Sequence, residues 1–221
     1  MANRLNLTSA QQQRPFSPSR RRLMVGGAIA GLAGSAGLAA LNPRKARAGH
    51  DAAASDVEVL NGALYYEHQA IWAYSAAAAE LSDSDVGQAV LNIALANQAD
   101  HITHRDTLAQ VIRDLGGMPV MAEESYDLSS YLERGDGGLD SDVNIAKLAL
   151  ALETDAAIAY ASEVAKLQTP ELITAGASIA AAEASHATTI RAAFVSLGMD
   201  IAYVPAAFVN ADTRSEWVIK V

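Results

Sequence analysis

Apolar residues return every three or four positions along most of the chain after residue 55. Leu60, Leu64, Ile71, Ala78 and Leu81 form one such stripe, which predicts a helix over Asp56–Leu81. Ser82-Asp83-Ser84-Asp85 breaks the chain and recaps it. A second helix is predicted from Asp85 to Leu115, closed by Gly116-Gly117 and Pro119. Residues 118–141 are polar and carry Gly135, Gly137 and Gly138, with a short turn of helix between Tyr126 and Glu133. A third helix is expected from Asp142 to Leu167. Thr169-Pro170 offers an N-cap and first-turn pair for a fourth, ending at Leu197-Gly198. The tail after residue 199 contains Pro205 and is expected to wrap the bundle in extended form. The connections run short, long, short. Short ones make antiparallel hairpins, and the long one can carry the chain across to a parallel start. The pattern is all-α: a four-helix bundle with one long crossover between helices 2 and 3.

Composition supports helix over sheet. Half of the 221 residues are hydrophobic but only 5% are aromatic, so the apolar count is largely alanine. There is no cysteine, which excludes disulfides, thiol nucleophiles and thiolate metal sites. The formal charge of −9 conceals two unlike parts. Residues 1–48 hold eight basic groups and no acid, leaving eight basic and all 25 acidic groups, a net −17, in the rest. That acidic balance argues against a nucleic-acid partner.

The basic part reads as a leader. Ser19-Arg20-Arg21-Arg22-Leu23-Met24 opens an apolar run to Leu41 diluted by five glycines, followed by Ala46-Arg47-Ala48. A charged start, a weak apolar centre and a small-x-small cleavage site occur in signal-peptide order. The paired arginines resemble the twin-arginine export signal. Cleavage after Ala48 is expected, with an uncleaved anchor as the alternative. The domains expected are a leader over 1–48, a bundle over 49–198 and a tail over 199–221. The location expected is periplasmic or otherwise exported.

The apolar stripes are interrupted by acids and histidines in a repeating way. Glu67 lies between Leu64 and Ile71, with Tyr74 two turns further on the same face. Glu153 lies between Leu150 and Ala157, with Tyr160 at the same offset. Helix 4 carries Glu183-x-x-His186, and helix 2 carries Gln98-x-x-His101 in the corresponding place. The mature chain therefore reads as two similar helical hairpins. Carboxylates buried in an apolar core without a cation would be costly and would protonate instead. Two bridging carboxylates and two chelating pairs can hold two ions inside such a core. Tyrosines one layer above can hydrogen-bond a ligand carboxylate.

At these residues the chain resembles the ferritin-like superfamily of di-iron and di-manganese carboxylate proteins, nearest to its twin-arginine-exported bacterial members. The resemblance spans about residues 53–197. It implies a ferritin-like bundle in which Glu67, Glu153, Glu183, His101 and His186 are metal ligands. Gln98 stands where the family has Glu, so three carboxylates face what four would neutralise. Asp100 and His104 are substitutes within reach, and His101-x-x-His104 can chelate from one helix, but the repeat favours Gln98. The resemblance also implies one or two ions of iron or manganese, with peroxide or dioxygen as oxidant. Tyr74 or Tyr160 would order a carboxylate or supply an electron. The partners expected are metal ions, the twin-arginine export machinery and a second copy of the chain. The alternative is a non-enzymatic stress or structural protein with a degenerate or mononuclear site.

Overall fold

Ser84 and Ser141 each begin a long helix by accepting a hydrogen bond from a backbone N–H three residues on, Gly87 and Asn144. These helices are two of six among residues 43–221, the part of the chain this computed structural model describes, with side chains from Ala52 onward. They are α1 (Pro43–Ala78), α2 (Asp85–Asp114), α3 (Ser129–Glu133), α4 (Asp142–Glu163), α5 (Pro170–Ser196) and α6 (Arg214–Trp217). There is no strand among the described residues, and no described helix is long and apolar enough to cross a membrane.

Helices α1 and α2 form one hairpin, and α4 and α5 the other. Their relative direction follows from two end contacts. Asp142, at the start of α4, accepts from the Ser82 N–H at 2.9 Å, just after α1 ends. Asp56, early in α1, accepts from the N–H groups of Gln168 and Thr169 at 2.7 and 3.1 Å, just after α4 ends. So α1 and α4 are antiparallel, and the connection 115–141 must span the bundle's length. That is the expected crossover.

Several boundaries depart from the sequence reading. Helix α1 starts at Pro43, not Asp56, and ends at Ala78. The alanine-rich stretch before Asp56 contains nothing that stops a helix, and proline is tolerated in a first turn. The expected leader lies outside the described residues apart from 43–48, and the expected cleavage point after Ala48 falls within α1. Helix α4 stops at Glu163 and tightens into a 3-10 turn, Val164–Lys166. Thr169 does not cap α5 with its side chain; its hydroxyl donates to Asp56 at 2.6 Å instead. A carboxylate from α1 thus satisfies the backbone ahead of α5 and ties the hairpins together. The C-terminal end of α2 is as expected: Gly116 takes φ +81°, and Gly117 N–H reaches Ile112 O at 2.8 Å.

The tail is folded rather than extended throughout. Its short helix α6 places Trp217 in the core with Val90, Ile145, Leu150, Ile190 and Phe194. Buried Arg191 on α5 donates to the Ala202 carbonyl at 2.9 Å and to the Trp217 carbonyl. Arg214 pairs with Asp155 on α4 at 2.5 and 2.8 Å. This core fills one end of the bundle. Leu64, Leu108 and Ile112 are buried towards the other end, leaving the polar layer between them.

Candidate metal centre

Each long helix sends acids or histidines into that middle layer. Helix α1 brings Glu67, α2 brings His101 and His104, α4 brings Glu153, and α5 brings Glu183 and His186. The three carboxylates are buried to within 2% of full, and His101 equally so. Donor atoms converge in two overlapping groups: Glu67, His101, His104 and Glu183; and His101, Glu153, Glu183 and His186. Within each, the atoms lie within 4.8 Å of one another. His101 and Glu183 belong to both.

Individual contacts define the layer. His101 Nδ1 is 2.8 Å from Glu67 Oε2, and its Nε2 is 3.2 Å from Glu153 Oε1. His186 Nδ1 is 3.2 Å from both Glu153 Oε2 and Glu183 Oε2. Its Nε2 faces Asp100 Oδ2 at 3.2 Å. His104 Nδ1 and Glu183 Oε1 lie 3.1 Å apart, sealed from solvent yet misaligned for a hydrogen bond. Buried polar atoms without partners are rare and costly. A cation between that nitrogen and that oxygen would satisfy both, so the donor set fits a metal.

The tyrosines cross between hairpins. Tyr74 of α1 donates to Glu153 of α4, and Tyr160 of α4 donates to Glu67 of α1. Asn97 adds a second donor, to the Tyr74 hydroxyl at 3.0 Å and to Glu153 at 3.3 Å. Burial, and then the neighbouring carboxylates, hold both phenol pKa values well above their ordinary value. Both tyrosines therefore stay protonated as donors.

Burial opposes charge throughout the layer, but pairing largely overrides it. Glu67 and Glu153 are lowered by their histidine neighbours, Glu153 strongly. Glu183 is raised by burial and by the charge of Glu153. Against burial, the adjacent carboxylates raise His104 to about 9, His186 to about 10, and His101 well above its ordinary value. Without metal, protons on the imidazoles balance the carboxylates. With metal they must leave.

Of the residues predicted from sequence, Glu67, His101, Glu153, Glu183 and His186 converge, with Tyr74 and Tyr160 bound to the carboxylates. Gln98 does not join them. Its amide donates to Ile71 O at 2.9 Å and to Ser75 Oγ at 2.7 Å, on the α1 side of the hairpin. The reason is the buried stripe of α2, which steps through Val90, Ala94, Asn97, His101, Leu108 and Ile112. Gln98 follows Asn97 by one residue, so its side chain leaves at about 100° to that of Asn97 and turns to α1. His104, half-buried and one turn past His101, faces Glu183 and takes the place the repeat gave to Gln98. Asn97 carried no signal beyond its position one turn before His101.

A family model described as a ferritin-like domain matches residues 55–196. The chain belongs to the ferritin-like domain family. In solved structures its fold is similar to that of a conserved hypothetical protein from Mycobacterium tuberculosis, 24% identical, with a TM-score of 0.56. That match covers 71% of this chain and 99% of the other. No curated protein matches. For this ferritin-like domain the established facts are an all-helical bundle and a Glu/His cluster that can hold metal ions.

Proposed function

We propose that the chain is an exported di-metal redox protein of ferroxidase or peroxide-consuming type. The observation carrying this reading is the orphaned pair of His104 and Glu183 beside two four-residue donor groups. Glu67, His101 and His104 would hold one ion, Glu153 and His186 the other, and Glu183 both. Buried oxygen and imidazole donors suit iron or manganese. Such ions, when bound, supply the electrons that reduce peroxide or dioxygen. The protein's own groups set the conditions. Tyr74 and Tyr160 fix the carboxylates, Asn97 holds Tyr74, and Asp100 orients His186 so that Nδ1 faces the centre. The twin-arginine-type leader, with its net basic charge, supports export and loading with metal before it. The test is elemental analysis of the folded full chain, followed by ferrous-oxidation and peroxide-consumption assays. Metal at stoichiometry and turnover above that of free metal are expected. Substoichiometric metal with no turnover would overturn the reading.

A further inference from the structure

Helices α1 and α4 face one another across the polar layer largely through alanine. Ala76 and Ala77 on α1 and Ala149 and Ala156 on α4 leave space a larger side chain would fill. The result is a cavity of about 250 Å³. Leu128, Tyr131 and Leu139, all from the long crossover, cover it. At its inner end stand Tyr74, His101 and Glu153.

Those three are polar, yet they offer nothing to a polar ligand. Tyr74 donates to Glu153 and accepts from Asn97. Both nitrogens of His101 face carboxylates. Glu153 Oε1 is shared by Tyr74, Asn97 and His101, and Oε2 by His186. Asp155, also on the wall, is engaged by Arg214. At the inner end a polar ligand would lose water and gain no hydrogen bond, whereas an apolar one gains contact. Gln69 and the Tyr66 and Tyr131 hydroxyls are the remaining polar groups in a lining that is otherwise alanine, leucine, isoleucine and aromatic ring.

A second cavity, of about 510 Å³, lies towards the other end of the same two helices and reaches Glu67 and Tyr160. Its wall carries Ser55, Glu58, Glu163 and Lys166, so it suits water and ions. The two faces of the centre thus differ in chemistry.

We infer that the cavity under the crossover binds a small apolar molecule, aromatic or short alkyl, seated against Tyr74 and Glu153. An apolar cavity of about 150 Å³ holds benzene, so this one takes up to about ten carbons. Binding needs no metal, so its failure and that of the redox reading are told apart by testing the metal-free chain. Calorimetric titration of the metal-free full chain with toluene should give saturable one-to-one binding. Ala149→Leu and Ala76→Phe, which fill the cavity, should weaken it by about tenfold or more. Ala63→Leu, which lines only the second cavity, should leave it unchanged. No saturable binding, or equal weakening by all three substitutions, overturns the proposal. If the filling variants do not fold, crystals of the unaltered chain under xenon decide: density under Leu128 and Tyr131 supports the site, and its absence there overturns it.

Discussion

The two hairpins run the same sequence pattern and deliver different ligands. In the α4–α5 hairpin the pattern reads straight through: Glu153, then Glu183 and His186, with Tyr160 seven residues past the first Glu. In the α1–α2 hairpin Glu67, Tyr74 and His101 keep their places, but the third donor is His104, one turn beyond His101. Gln98, the counterpart of Glu183, turns to Ile71 and Ser75. The second hairpin is also braced by the tail, through Arg191, Arg214 and Trp217. Equivalence along the sequence therefore did not survive as equivalence in space. What the helices hold in common is the depth of the layer; which residue fills it depends on how each helix is rotated.

That contrast can be broken most completely at Glu183, which belongs to both donor groups. Glu183→Ala should abolish metal retention after gel filtration, read by elemental analysis. It also strands His104 and His186, so the urea midpoint is measured alongside. Trp217→Ala tests the brace. It should lower stability by about 3–5 kcal/mol, the usual cost of emptying a core aromatic site, measured by urea unfolding. His104 and Gln98 decide which residue completes the first hairpin. His104→Ala should weaken metal binding by more than about 100-fold in a chelator competition, above what an outer partner contributes, whereas Gln98→Ala should leave it unchanged. The reverse ranking would restore the symmetric reading. Asp100→Asn, which touches only the far nitrogen of His186, should cost about tenfold in the same assay.

The smallest effect concerns protons. His104 and His186 are raised in the folded chain, to about 9 and about 10, from 6.5. Their contribution to stability is therefore full below about pH 6.5 and is lost as pH rises through those two values. The urea midpoint of the metal-free protein should fall across that window. Metal loading should flatten the fall, because the ions displace the same protons. A midpoint that stays level without metal would mean that the imidazoles are neutral in the folded state.

Much of this was legible in the residues. Gly116, Ser84 and the pairing of Glu67 with Glu153 gave the helices, their order and five of the six converging donors. Helix ends were less legible where nothing forbids continuation, as before Asp56, or where a distant side chain does the capping, as Asp56 does at Thr169. Gln98 misled for a plain reason. Spacing within a repeat fixes distance along the helix axis, but a shift of one residue in the buried face changes the direction of every side chain by about 100°. The buried stripe Val90, Ala94, Asn97, His101, Leu108 has Gln98 on one edge and His104 on the other, both half-buried, so only the packed helices decide which of them faces the layer.

The crossed tyrosines bear on how such a chain arises. Each hairpin's tyrosine donates to the other hairpin's carboxylate rather than to its own. A lone ancestral hairpin meeting a second copy across a two-fold axis would make the same two bonds. Fusing the genes of such a pair requires only a connection long enough to span the bundle, and residues 115–141 are that connection. Once joined, such halves are free to diverge, as they do here, where Gln98 turns to α1 and His104, six residues on, faces Glu183.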